Sequence, residues 1–206
     1  MVPAGDSTRN PRAPLVVKLG GSLHHQIPEI VPLLCKSERP LLVVPGGGLF
    51  ADAVRQEQVE GDAAHWMAIA AMEQYAWVIA SHGMRTTDIL AVPETTAVFL
   101  PYISMRQRDP LPHSWDVTSD SISAWIAAEL GIELLVLKSV DGISLNGVMQ
   151  ERVTTSIQSD VVDPLFIPFI LKHRIKTTII NGKTKKLLEK FLKGEPVTGT
   201  KICTTF

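Results

Sequence analysis

Apolar positions along this chain fall into short blocks that alternate between two spacings. Residues 41–44 (Leu-Leu-Val-Val) and 134–137 (Leu-Leu-Val-Leu, entered from Glu133) are continuous, as in strands covered on both faces. Leu15, Val16, Val17 and Leu19 form a similar run around a single lysine, Lys18. Between such runs the spacing turns helical. Ile27, Ile30, Val31 and Leu34 make one stripe, with Pro28 suited to a first turn and Pro32 making the helix irregular. Helical spacing resumes over 49–54, and 62–82 predicts one long helix ended by Gly83. That helix is apolar on more than one side (Trp66, Met67, Ile69, Met72, Tyr75, Trp77, Ile79), so it is covered on more than one side. It serves either as a central core helix or as a subunit interface, and a homo-oligomer is expected.

The second half repeats the alternation. Residues 87–92 and 95–100 are β-prone and split by Pro93, and 105–108 are polar and basic. Ile122, Trp125, Ile126 and Leu130 predict a helix capped by Thr118 or Ser119 and stopped at Gly131. Asn146-Gly147 is a hairpin turn. Helical spacing over 163–172, a strand over 177–180, a basic helix over 183–192, and a final turn with an edge strand within 194–206 complete the chain. Strands alternating with helices predict an α/β fold, a three-layer sandwich with a largely parallel central sheet. Residues 1–14 read as a flexible tail and 15–206 as a single domain.

Composition narrows the class. Of 206 residues, 45% are apolar, enough for a full core, and the formal net charge of −1 argues against nucleic acid or an anionic membrane as partner. Residues 1–14 lack the apolar stretch of a signal peptide, and no apolar run approaches the roughly 20 residues of a membrane-spanning helix. Cys35 and Cys203, far apart and without metal-ligand spacing, read as reduced thiols in a cytoplasmic protein.

The chemistry sits where strands end. Lys18, then Gly20, Gly21 and Ser22, place a cation beside backbone amides at a strand-to-helix turn, which suits a phosphate. A glycine turn with a lysine stretching to solvent is the other reading. Gly46, Gly47 and Gly48 follow the second strand, and three glycines cost enough conformational entropy that close backbone approach to a ligand is the better explanation. Asp109-Pro110-Leu111-Pro112-His113 is a stiffened loop that delivers Ser114 to Ser121, with Ser119 and Asp120 in the first turn of the following helix. Lys138, Ser139, Asp141 and Gly142 leave the carboxyl end of another strand, where ligands bind in open α/β sheets. Residues 194–201 mimic a P-loop but end Gly-Thr-Lys and follow a helix, and no Gly-x-Gly-x-x-Gly opens a helix. His24 and His25 are adjacent and read as solvated, so no metal ligands are assigned.

Four motifs in order carry a resemblance. Lys18-Leu19-Gly20-Gly21-Ser22, Val44-Pro45-Gly46-Gly47-Gly48, Thr118-Ser119-Asp120 and Lys138-Ser139-Val140-Asp141-Gly142-Ile143 resemble the motifs of the amino acid kinase family over roughly residues 15–204. That family includes acetylglutamate, aspartate, carbamate, isopentenyl phosphate and uridylate kinases. Met72-Glu73-Gln74-Tyr75 and His113-Ser114-Trp115-Asp116 look most like its branch in methanofuran biosynthesis, which phosphorylates (5-(aminomethyl)furan-3-yl)methyl phosphate.

The resemblance implies ATP and Mg²⁺ as cofactors, a small-molecule phosphate as acceptor, and catalytic roles for Lys18, Asp120 and Lys138. Lys18 would contact the transferred phosphoryl group beside Gly20, Gly21 and Ser22, and Asp120 would orient the lysines. Gly46, Gly47, Gly48, Asp116 and Ser119 would line the acceptor pocket. Lys138, Ser139, Asp141 and Gly142 would form the nucleotide side, in a pattern closest to uridylate kinases.

One departure stands out. Many relatives carry Gly-Gly-Met-x-x-Lys late in the chain, whereas residues 159–171 here contain no lysine and include Asp160-Val161-Val162-Asp163-Pro164. Lys138, Lys176 or a metal would have to replace that charge. The motifs hold no recognisable His or Glu base, which suits an acceptor that is already an anion. A uridylate-type nucleoside monophosphate kinase and a non-catalytic nucleotide- or oxyanion-binding storage protein are the alternatives.

Overall fold

The computed structural model describes residues 12–204, so most of the expected tail lies outside the described residues. The strands are β1 (Leu15–Leu19), β2 (Leu41–Pro45), β3 (Arg85–Thr87), β4 (Ala97–Phe99), β5 (Glu133–Lys138), the hairpin β6–β7 (Ser144–Leu145, Val148–Met149), β8 (Arg152–Val153), β9 (Thr177–Asn181) and β10 (Thr200–Ile202). Eight of them form one sheet in the order β3-β4-β2-β1-β5-β9-β10-β8. From β3 to β9 every pairing is parallel; β10 runs antiparallel to β9, and β8 is parallel to β10.

Helices α1 (Ile27–Cys35), α2 (Gly48–Gln56), α3 (Gly61–Ala80), α4 (Tyr102–Arg108), α5 (Ser119–Leu130), α6 (Phe166–His173) and α7 (Lys185–Leu192) cover the sheet. Side chains alternate across β1. Leu15, Val17 and Leu19 pack in one core with Ile30, Leu34 and Leu188 from α1 and α7. Val16 joins Ile122, Ile126 and Ile170 from α5 and α6 in a second core. Helices therefore lie on both faces of a mostly parallel sheet: the three-layer α/β sandwich read from the strand pattern.

Two local expectations need correction, and one segment described only as polar and basic is a helix. The segment 105–108 belongs to α4, whose first amide, on Tyr102, donates to Glu73 Oε2 of α3 at 2.9 Å; that cap is supplied from a distant helix. Residues 88–92 are not a strand. β3 lies earlier, and Ile89 and Val92 remain exposed. The terminal strand β10 is not at an edge, because β8 pairs beyond it.

The long helix is confirmed as α3. It buries Ile69, Met72, Tyr75 and Ile79, whereas Trp77 stays 56% exposed.

The site lies at the carboxyl ends of β1 and β5. The connection leaving β1 goes to β2 on one side, while β5 arrives on the other, so the winding reverses between β1 and β5. A crevice opens at such a point, because the two connections diverge.

Candidate active site

Two glycine loops meet at this crevice. The Gly20 amide donates to Leu137 O (3.2 Å), and the Gly46 amide to Leu19 O (2.8 Å), which extends the strand ladder into the loops. A Cβ on Gly21 would collide with the Gly48 backbone nitrogen, and one on Gly46 would meet the Gly21 nitrogen at 2.5 Å. The glycines thus let the two loops contact each other. This corrects the reading of the Gly46 to Gly48 run as close approach to a ligand alone. Gly48 has φ +54° and abuts the Tyr75 ring. Ser22 does not cap a helix: it lies in a 3₁₀ turn (Gly21–Gln26) that has no side-chain cap.

Above the loops is a cavity of about 520 Å³. Its wall includes Lys18, Gly20, Gly21, Ser22, Gly47, Gly48, Ser119, Asp120 and Lys138, so most of the predicted site residues come together there. Gly46, Asp116, Ser139, Asp141 and Gly142 are not on that wall. Gly46 is buried behind it and Asp116 is exposed. Asp141 accepts a hydrogen bond from Asn181 Nδ2 (2.8 Å), and Gly142 packs against Thr200.

At the centre of the wall Asp120 sits between two ammonium groups. Lys18 Nζ is 2.6 Å from Oδ1 and Lys138 Nζ is 2.6 Å from Oδ2. Lys18 and Asp120 are each 3% exposed. β1 and β5 project the lysines from adjacent strands, while α5 presents Asp120 in its first turn, with the Asp120 amide donating to Thr118 Oγ1 (3.2 Å). The positive end of α5 favours the carboxylate there.

Burial opposes ionisation of Asp120, yet the Lys18 and Lys138 charges and their hydrogen bonds hold its carboxyl below the usual range. Burial and then the Lys18 charge push Lys138 down to about 8, partly offset by Asp120. Two cations around one anion leave a net positive centre, which an incoming phosphate neutralises.

Of the two lysines that could replace the missing late one, Lys138 lines the cavity, whereas Lys176 is exposed at the amino end of β9. The segment that lacks the lysine has a structural duty that the sequence did not reveal. Asp163 accepts from the Thr118 amide (2.9 Å) and hydroxyl (2.8 Å), the Ser121 amide (3.0 Å) and the Ser121 hydroxyl. The Phe166 amide also donates to it (3.0 Å). One buried carboxylate therefore ties the start of α5 to the start of α6. The signal available in sequence, an Asp three residues before a helical run, accounts only for the α6 bond.

Sequence reasoning also missed the far side of the cavity. His24 is half-buried on its wall, with Nδ1 buried and lacking a hydrogen-bond partner, which corrects the solvated reading; His25 is on the wall too. Arg55, His65, His113 and Trp115 complete that side. The Arg55 guanidinium lies 4.8 Å from the centre of the Trp115 ring.

His65, Asp109 and His113 bring possible metal-ligand atoms near one another. The two imidazoles, however, stack at 4.0 Å and 18°, so their lone pairs run side by side instead of converging. Both nitrogens of His113 are already against carboxylates. On the cavity wall Asp120 spends both oxygens on lysines, and exposed Asp52 pairs with Arg55. The wall therefore offers no resident Mg²⁺ cage.

The sequence profile of the amino acid kinase family matches residues 13–159. The chain belongs to the amino acid kinase family. It is 28% identical over 211 residues to the [5-(aminomethyl)furan-3-yl]methyl phosphate kinase of Methanocaldococcus jannaschii, covering 91% of this chain and 96% of that one. Similar solved structures include the uridylate kinase of Archaeoglobus fulgidus (20% identity, TM-score 0.67, 92% of this chain and 100% of that one). The UMP kinase of Ureaplasma parvum is another (15% identity, TM-score 0.71, 94% and 99%). At such identities the two structures establish the fold. The family and the kinase relative make the chain a phosphotransferase.

Proposed function

We propose that this amino acid kinase-family protein transfers the γ-phosphoryl group of ATP to the phosphate of (5-(aminomethyl)furan-3-yl)methyl phosphate, forming the diphosphate. The Lys18–Asp120–Lys138 constellation at the reversal of the sheet carries the phosphotransfer reading. Similarity to the furan phosphate kinase along nearly the full length supports the acceptor.

An oxygen of the acceptor phosphate attacks the γ-phosphorus while the bond to the β,γ-bridging oxygen breaks and ADP leaves. A phosphate monoester has its second pKa near ~6, so the acceptor is already an anion at neutral pH and needs no base. Catalysis then reduces to positioning and charge neutralisation. Lys18, beside the Gly20 and Gly21 amides, faces the transferred group. Lys138 neutralises charge that collects between donor and acceptor, and Asp120 keeps both ammoniums apart and aimed. Gly46 to Gly48, Asp116 and Ser119 are assigned to the acceptor side, and Ser139, Asp141 and Gly142 to the nucleotide side. Mg²⁺ enters with ATP as part of the substrate, which suits an ion that keeps several waters and binds through substrate phosphates.

Free Cys35 and Cys203 support a cytoplasmic location, and among the described residues no helix is long and apolar enough to cross a membrane. Exposed Trp77 and Met67 on α3 support a homo-oligomer, which sedimentation would test.

The deciding assay is ADP release from MgATP with the furan phosphate, UMP, isopentenyl phosphate, acetylglutamate and carbamate offered separately. Selective turnover of the furan phosphate is expected. Selective turnover of UMP would instead establish the nucleoside monophosphate kinase reading, which the Lys138 to Ile143 motif favours. ATP binding without turnover of any acceptor would leave a storage role.

A further inference from the structure

We propose that His113 is a positioning residue for the acceptor. As an imidazolium held between Asp62 and Asp109, it fastens the 109–118 loop to α3 and thereby shapes the acceptor side of the cavity. The acceptor role rests on the phosphotransfer reading above; the clasp itself does not.

The geometry defines the protonation state. His113 Nδ1 is 2.7 Å from Asp62 Oδ1, and Nε2 is 2.7 Å from Asp109 Oδ1. A neutral imidazole has one N–H, so one of these contacts would set a lone pair against a carboxylate. Only the imidazolium donates to both. His65 of α3 stacks on the ring at 4.0 Å, and Trp66 of α3 meets it edge-on at 5.1 Å. Arg106 of α4 lies 4.5 Å from the centre of the Trp66 ring. The hydrogen bonds to Asp62 and Asp109 raise the His113 pKa. Burial, then the His113 charge, lowers that of His65, which leaves a neutral ring for the cation to stack on.

The same loop forms the cavity wall through His113, Ser114, Trp115 and Val117. Its downstream end is fixed by the Asp163 bonds to Thr118. Its upstream end depends on His113. The sign follows: the clasp is complete below the raised His113 pKa and lost as pH rises through it. Asp62 and Asp109 are 83% and 54% exposed, so salt also loosens it.

The test uses the full-length protein. Nitrogen-detected NMR at neutral pH is expected to show both His113 nitrogens protonated, with titration above the ordinary histidine value; Asp62→Asn should lower that midpoint. Hydrogen-exchange protection of residues 109–118, corrected for intrinsic rates, should fall across the same titration. Across the His113 midpoint that NMR gives, the acceptor KM should rise roughly fivefold to tenfold with pH as one charge-assisted anchor is lost, while the ATP KM holds; loss of the Lys138 proton near 8 is read separately, as a fall in kcat that His113→Gln shares. His113→Gln should fix the acceptor KM at the high value and remove its pH dependence.

A His113 titration at or below the ordinary value, or unchanged loop protection across it, would overturn the clasp. A flat acceptor KM while the loop loosens would overturn the acceptor role. Absence of turnover with every acceptor would remove that role together with the phosphotransfer reading, and the NMR and exchange results would still decide the clasp.

Discussion

Replacing Asp120 by Asn removes one negative charge at nearly constant shape from a position where two ammoniums lie 2.6 Å away on opposite oxygens. Asp120 and Lys18 are almost fully buried, so water supplies little compensation. Truncating one partner of a buried ion pair costs about 3–5 kcal/mol, and we expect a stability loss in that range. Asp120 is also what holds the Lys138 pKa up, so Asn should carry it below its value of about 8.

With the central cations misplaced and one more readily deprotonated, kcat should fall by about 10²–10³, the loss seen when one preorganised donor is removed. Three measurements check this. The descending limb of kcat/KM against pH should move from near 8 to lower pH. Chemical denaturation should show the stability loss above about pH 4; as pH falls through the depressed Asp120 value the wild type loses the same contribution and the two proteins converge. Inorganic phosphate should raise the Tm of the variant more than that of the wild type, because it supplies the missing anion. A variant with kcat within about threefold of wild type and its alkaline limb still near 8 would refute the role of Asp120 as the common counter-ion of Lys18 and Lys138.

Lys18→Ala should lose about 2–4 kcal/mol of transition-state stabilisation, together with stability because it truncates the buried Lys18–Asp120 pair, and steady-state turnover within threefold of wild type would remove Lys18 from the reaction. The wild-type kcat/KM should decline above pH 8 as Lys138 loses its proton, with the limb moving upward in kcat, since bound phosphates favour the ammonium; a limb absent below pH 9.5 would contradict this. Asp163→Ala strands the Thr118, Ser121 and Phe166 donors at once and should destabilise by about 3 kcal/mol or more in denaturant titrations, with activity falling because α5 carries Asp120. Gly21→Ala should separate the two glycine loops and raise the ATP KM together with lowering Tm; a variant equal to wild type in both would show that the loop contact is dispensable.

Much of the site could be read because its parts obey local rules. Thr118 as cap, Asp120 in the first turn and Gly131 at φ +64° as the stop all appear as inferred, since capping chemistry is settled within a few residues. The α4 segment drew no helix from the pattern for the opposite reason. Its cap, Glu73, lies 29 residues earlier in the chain. Asp163 escaped notice as a determinant of the site because four of its five bonds go to residues more than 40 positions away. His113 was placed in a loop, and only folding stacks it on His65 of α3.

The hydrophobic pattern by itself determined a largely parallel α/β sandwich, the central strands and most of the helices in their order along the chain, and glycine loops at the ends of β1 and β2. Periodicity records which faces are buried, and loop chemistry records where the backbone must turn. The tertiary structure decided which strands are neighbours and therefore that Lys18 and Lys138, 120 positions apart, share one carboxylate. It also decided that Lys138 and not Lys176 stands at the cavity. Charge neutralisation acts through space over a few ångströms, and no spacing along the chain encodes that distance until the sheet brings the strands together.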